Sequence, residues 1–177
     1  MYNQSKIASG PLYQLVIDGK EVKLSADDIA HVMRKKLAAS TAIQRIFDRF
    51  GISIDRISEL KIEFMPLEKK YAETNIQGIQ VNETMLQTPD FIDKYAFVFA
   101  HEIVHWLTRI KEEEAYFNDP EETLGFIASV AYELEQTRDL NEVWNKIYNK
   151  INWHFNDEKD ARQFFENMVD KAKELLQ

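Results

Sequence analysis

The sequence contains no cysteine, which excludes disulfides, thiolate metal ligands and a cysteine nucleophile. Glycine and proline are scarce, five and four in 177 residues, leaving little chain for long linkers and favouring a mostly helical single domain. Positive charge is in deficit: 22 Lys and Arg against 30 Asp and Glu give a formal net charge of −8. Such a surface repels nucleic acid and anionic lipid, so neither is expected as a partner. No apolar run is long enough to span a bilayer, and the opening MYNQSKIASGPLYQLVIDG lacks a basic segment followed by an apolar one. With cysteine also missing, a cytoplasmic protein with no membrane partner is expected.

What the chain does have is apolar and aromatic mass: 45% hydrophobic residues, with eleven Phe, seven Tyr and three Trp. That is enough for a packed core. Leu12 to Leu24 reads as a hairpin around Asp18-Gly19, a type I′ turn signal. Ser25 then caps ADDIAHVMRKKLAA, with Asp28 in the capping-box position, and a short helix from about Thr41 to Phe50 stops at Gly51. ELKIEFM and NIQGIQVN are strand candidates, and PLEKKYAET between them reads as a loop or irregular edge. A long helix is expected from near Thr88-Pro89, with the proline in its first position, to about Lys111. Others follow from Asp119-Pro120, Asp139 to Ile151 and Asn156 to Leu176. The expected class is α+β: a small mixed or antiparallel sheet packed on a central helix, with a helical C-terminal half. One domain over 1–177 is expected, with a hairpin and helices in 1–58, a core in 59–136 and further helices in 137–177.

The centre of that reading is FVFAHEIVHWL, where two of only four histidines, His101 and His105, stand one helical turn apart with Glu102 between them. Positions i and i+4 share a helix face, so both imidazoles can reach one ion. Glu102 projects beside that ion and suits a general base acting on water. A catalytic zinc takes three protein ligands and keeps one position open. No cysteine or nearby third histidine exists, so the third ligand should be a carboxylate from NDPEETLGF. Glu122 is preferred and Glu121 is the alternative. The ordinary reading of both is capping: Asp119 as N-cap, Pro120 at the first position, and two acids favouring the helix dipole. His31, with no partner at ligand spacing, is expected to be a surface or packing residue.

HEIVHW followed by EETLGF resembles the gluzincin type of zincin metallopeptidase, in which a glutamate on the next helix completes a zinc site. It looks most like the small metallopeptidase domains of phages and mobile elements, including the C-terminal domain of ArdC-type anti-restriction proteins. That group shows His-Glu-x-x-His-Trp-Thr and later Glu-Glu-x-x-Ala-Glu. The matching residues are His101, Glu102, His105, Trp106, Glu121 and Glu122, with Gly125 where a small alanine is usual. The ligand falls three residues before that small residue, which implies Glu122. Leu107 stands in the threonine position and Phe126 where an acid is common, removing a partner for a ligand histidine. The single-stranded-DNA-binding module of ArdC-type proteins is not recognisable in Met1 to Leu60, so the anti-restriction role is not carried over. The resemblance also implies an edge strand that binds substrate backbone, expected at Ile79, Gln80 and Val81.

The implied activity is hydrolysis of peptide bonds in a peptide or protein substrate, using one Zn2+ on His101, His105 and Glu122, with Glu102 moving the proton. An oxyanion donor is also needed. His154 is the first choice, ahead of Tyr116, Tyr132 and Arg109. Trp106 and Trp144 are expected in the core. Two other classes remain: a zincin-fold protein that binds metal or a partner without turnover, such as a phage-encoded inhibitor, and a purely structural helical protein.

Overall fold

The structure, a computed structural model, describes residues 11–111, 120–152, 154, 155 and 157–177. Strands β1 (Tyr13–Ile17) and β2 (Lys20–Leu24) form an antiparallel hairpin. Asp18 and Gly19 both have positive φ, 50° and 74°, the backbone that a type I′ turn requires. Helix α1 (Ala26–Ala38) opens on the expected capping box, in which the Ser25 hydroxyl accepts from Asp28 N–H and the Asp28 carboxylate accepts from Ser25 N–H. Helix α2 (Thr41–Phe50) ends at left-handed Gly51. Both helices bury one face, Ile29, Met33 and Leu37 on α1 and Ile43, Ile46, Phe47 and Phe50 on α2. His31 is exposed, a surface residue.

After a 3-10 turn over Ile54–Glu59 come β3 (Lys61–Met65), β4 (Ala72–Asn75) and β5 (Gly78–Asn82). Their order in the sheet is β3-β5-β4, with β3 parallel and β4 antiparallel to β5. This corrects one expectation. Ile79, Gln80 and Val81 belong to the central strand, paired on both sides, and cannot offer a free edge. The edge is β4, from the stretch read as a loop or irregular edge.

A second 3-10 turn, Glu83–Gln87, leads to helix α3 (Phe91–Ile110). Pro89 lies ahead of the helix rather than in its first position, and its carbonyl accepts from Val16 N–H at 2.7 Å. That bond joins the hairpin to the helix entrance. Helix α3 is buried on nearly every side. Its main neighbour is α4 (Pro120–Gln136), followed by α5 (Leu140–Asn152) and α6 (Glu158–Leu175), which is capped by Asp157. The expected N-cap Asp119 lies outside the described residues. Trp106 packs on Phe47, and Trp144 on Tyr148 and Phe165, all within the buried cluster or against it. The fold is α+β: small two- and three-stranded sheets in the N-terminal half packed on helices, and a helical C-terminal half. Among the described residues, no helix is long and apolar enough to cross a membrane.

Helix α4 is anchored by polar contacts as well as apolar ones. The Ser129 hydroxyl donates to the Phe97 carbonyl of α3 at 2.8 Å. The Glu135 carboxylate accepts from Ala42 N–H at 3.1 Å and so caps α2. Glu133 is fully buried, with one oxygen 2.7 Å from Lys146 Nζ and the other without a hydrogen-bond partner among the described residues. Burial pushes the Glu133 pKa up and the Lys146 ammonium only partly offsets it. Lys146→Met strands this carboxylate, and the expected loss is about 3 kcal/mol at neutral pH, measured by urea unfolding. A carboxyl whose folded pKa lies above its ordinary 4.5 contributes fully below 4.5 and loses that contribution as pH rises through the folded pKa. The deficit of the variant should therefore shrink as pH falls toward 4.5.

Candidate metal centre

Four-residue spacing on α3 puts the His101 and His105 rings on one face with centroids 4.9 Å apart. Helix α4 begins at Pro120, so Glu121 and Glu122 occupy its first turn. There the Glu122 carboxylate spans the pair: Oε2 is 3.2 Å from His101 Nε2 and Oε1 is 3.3 Å from His105 Nε2. Donor atoms of His101, His105 and Glu122 all lie within 4.8 Å of one another. Ligands held about 2.0–2.1 Å from a tetrahedral ion stand about 3.3 Å apart, so the two carboxylate contacts have the spacing of a ligand set.

Glu121 has a different place. Its Oε1 is 2.5 Å from His105 Nδ1, on the side of the ring away from Glu122. A carboxylate only accepts, so Nδ1 carries the proton, and with a cation in place of any proton shared with Glu122 the ring binds it through Nε2. The two adjacent acids thus divide the work, Glu122 at the donor cluster and Glu121 behind His105.

His101 lacks such support. It is buried, and its Nδ1 has no hydrogen-bond partner among the described residues. Phe126 meets the ring edge-on, 4.9 Å between centroids at 79°. A Cβ on Gly125 would come within 2.8 Å of Nδ1, so only glycine lets the ring lie this close to α4. The expected small residue and the expected missing acid are therefore one local arrangement.

Burial, helped by Lys150, lowers the His101 pKa to about 4, which keeps the ring neutral. Burial also lowers that of His105, but hydrogen bonds with Glu122 and Glu121 outweigh it and the net shift is upward. Hydrogen bonds from His101 and His105 hold Glu122 far below the usual carboxylate range. At Glu102 burial acts upward, yet Lys150, His101 and Thr74 outweigh it and the carboxylate stays ionised. Its Oε2 accepts from the Thr74 hydroxyl at 2.7 Å, and its Oε1 is 3.6 Å from Lys150 Nζ. The single Thr74 O–H is shared with the Glu102 main-chain carbonyl, 3.2 Å away, joining β4 to α3.

These groups line a cleft of about 960 Å³, bordered by Lys69 to Thr74 on one part of its wall and by His101, Glu102, His105, Glu122, Lys150 and His154 on another. Comparison with protein-family models, with curated proteins and with solved structures finds no match for this chain. The centre is therefore read from its own chemistry. Two imidazoles and a carboxylate, without thiolate, suit zinc, and half-exposed Glu122 leaves the cluster open to the cleft.

Of the expected oxyanion donors, His154 and Arg109 line the cleft. The His154 ring packs edge-on against Phe126, with centroids 5.5 Å apart. Tyr132 does not qualify: it is buried in the core, away from the cleft-lining residues, because its place on α4 turns inward. Tyr116 lies outside the described residues. Sequence reasoning missed Thr74 and Lys150. For Lys150 a signal existed, since it falls on the buried Val143, Ile147, Ile151 stripe of α5.

Titration with a chromophoric zinc chelator should separate the two acids. Glu121→Gln should weaken zinc by about 10–100-fold and Glu122→Gln by more, while Gly125→Ala should match Glu121→Gln by displacing the His101 ring. The reverse order for the acids would exchange their roles.

Proposed function

We propose that the chain is a zinc-dependent metallopeptidase of zincin type, acting as one domain over residues 1–177 on a peptide or protein substrate. The observation that carries this is the Glu122 carboxylate facing both Nε2 atoms of a His-Glu-x-x-His helix, with ionised Glu102 in the same cleft. Bound zinc would supply Lewis-acid polarisation of the carbonyl and of water. His101, His105 and Glu122 would hold it, and Glu121 would orient His105. Glu102 takes a proton from the attacking water and passes it to the leaving amine. Edge strand β4 supports the same reading: among the described residues it pairs with β5 on one side only, and its residues line the cleft, so an extended peptide can join it by strand addition.

A second reading, a binding protein of the same fold without turnover, has one observation in its favour. One Glu102 oxygen accepts from Thr74 and the other faces the Lys150 ammonium at 3.6 Å, which lowers the basicity of the carboxylate.

Native mass spectrometry of protein purified without added metal is expected to show one zinc per chain. Chelation should end turnover of a peptide library and lower the melting temperature, since zinc at 100 times its Kd contributes about 2.7 kcal/mol. Glu102→Gln should keep zinc and lose about 10²–10⁴-fold in kcat. A zinc-loaded protein with no turnover on any library would leave the binding reading, and melting indifferent to chelators would sink both.

A further inference from the structure

We propose that Lys150 is a catalytic residue whose ammonium group donates to the scissile carbonyl oxygen as negative charge develops there. This deepens the peptidase reading and rests on it. Lys150 lies on the apolar stripe of α5, and its side chain is only 16% exposed. Its Nζ is buried and has no hydrogen-bond partner among the described residues. Its one ion-pair contact among the described residues, to Glu102 Oε1 at 3.6 Å, is beyond hydrogen-bond reach. An ammonium group withdrawn from water with its N–H donors unspent is costly, and a methionine of similar shape would avoid that cost.

The same helix shows what a structural lysine looks like. One turn earlier, Lys146 closes on buried Glu133 at 2.7 Å. Lys150 does not close on Glu102, and it lines the cleft beside Glu102, His101 and Glu122. A carbonyl oxygen entering that space meets unspent N–H donors. His154, by contrast, is packed edge-on against Phe126.

The chemistry balances with water as the only co-reactant. Water oxygen bonds to the carbonyl carbon while Glu102 takes its proton, and the C=O π pair moves onto oxygen, where Lys150 donates an N–H. The pair then re-forms C=O, the C–N bond breaks, and the nitrogen leaves with the proton from Glu102. Lys150 keeps all its protons. One water is consumed, and an acid and an amine are formed.

The test uses zinc-loaded full-length chain, a peptide substrate found by the library screen, and a peptide phosphonate of the same sequence. Lys150→Met should lower kcat by about 10²–10³-fold, as removal of one oxyanion donor does. KM should move by less than about threefold, one zinc should remain per chain, and phosphonate affinity should fall in step with kcat/KM. Lys150→Arg, which retains a cationic donor, should recover part of the loss. Unchanged kcat, or lost kcat with unchanged phosphonate affinity, overturns the proposal, the latter pointing to a role through Glu102. Should Lys150→Met not fold, the wild-type zinc–phosphonate crystal structure decides: Nζ about 2.8 Å from a phosphonate oxygen is expected, and no contact overturns it. If wild type neither holds zinc nor turns over, the peptidase reading has failed instead.

Discussion

Two imidazoles on a buried helix and one carboxylate on the next must meet, and most of the described architecture serves that meeting. Helix α3 is packed on nearly every side, so its ring positions are fixed by its surroundings and not by solvent. The start of α4 has to arrive opposite them in one register, because turning that helix by a single residue would swap Glu122 for Glu121 or Thr123. Gly125 sets how close the two helices come, and His101 fills the space that a side chain there would take.

What holds α4 in register is partly polar. Ser129 reaches the backbone of α3, Glu135 the start of α2, and Glu133 the ammonium of Lys146 on α5. Such contacts are directional, whereas apolar packing alone tolerates small slides and rotations. The helix that brings Glu122 to the centre is thus fixed at several points along its length. The cost is a buried acid with one oxygen unmatched among the described residues, a polar strain placed well away from the cleft.

The sequence revealed what is local. Asp18-Gly19, the Ser25 and Asp28 pair and the stop at Gly51 are decided within a few residues, and so is the His101, Glu102, His105 face. Features that depend on distant partners were harder to read. AETN is too short to show alternation, and only pairing with β5 makes it an edge strand. Pro89 looked like a first helical residue, but its carbonyl is bound by Val16 of the hairpin. Glu121 and Glu122 are neighbours on one turn, and no local rule says which faces a ring on another helix. Lys150 was not singled out, although its place on an apolar stripe marked it as drawn inward.

The Thr74 hydroxyl has a wider consequence. It grips both the side chain and the main chain of Glu102 from the strand that would receive a peptide. On the peptidase reading, a chain that lengthened the sheet at β4 would therefore stiffen the mount of Glu102 in the same act. Selectivity and speed would then be coupled properties, because a poorly seated peptide would meet a base whose footing is still loose.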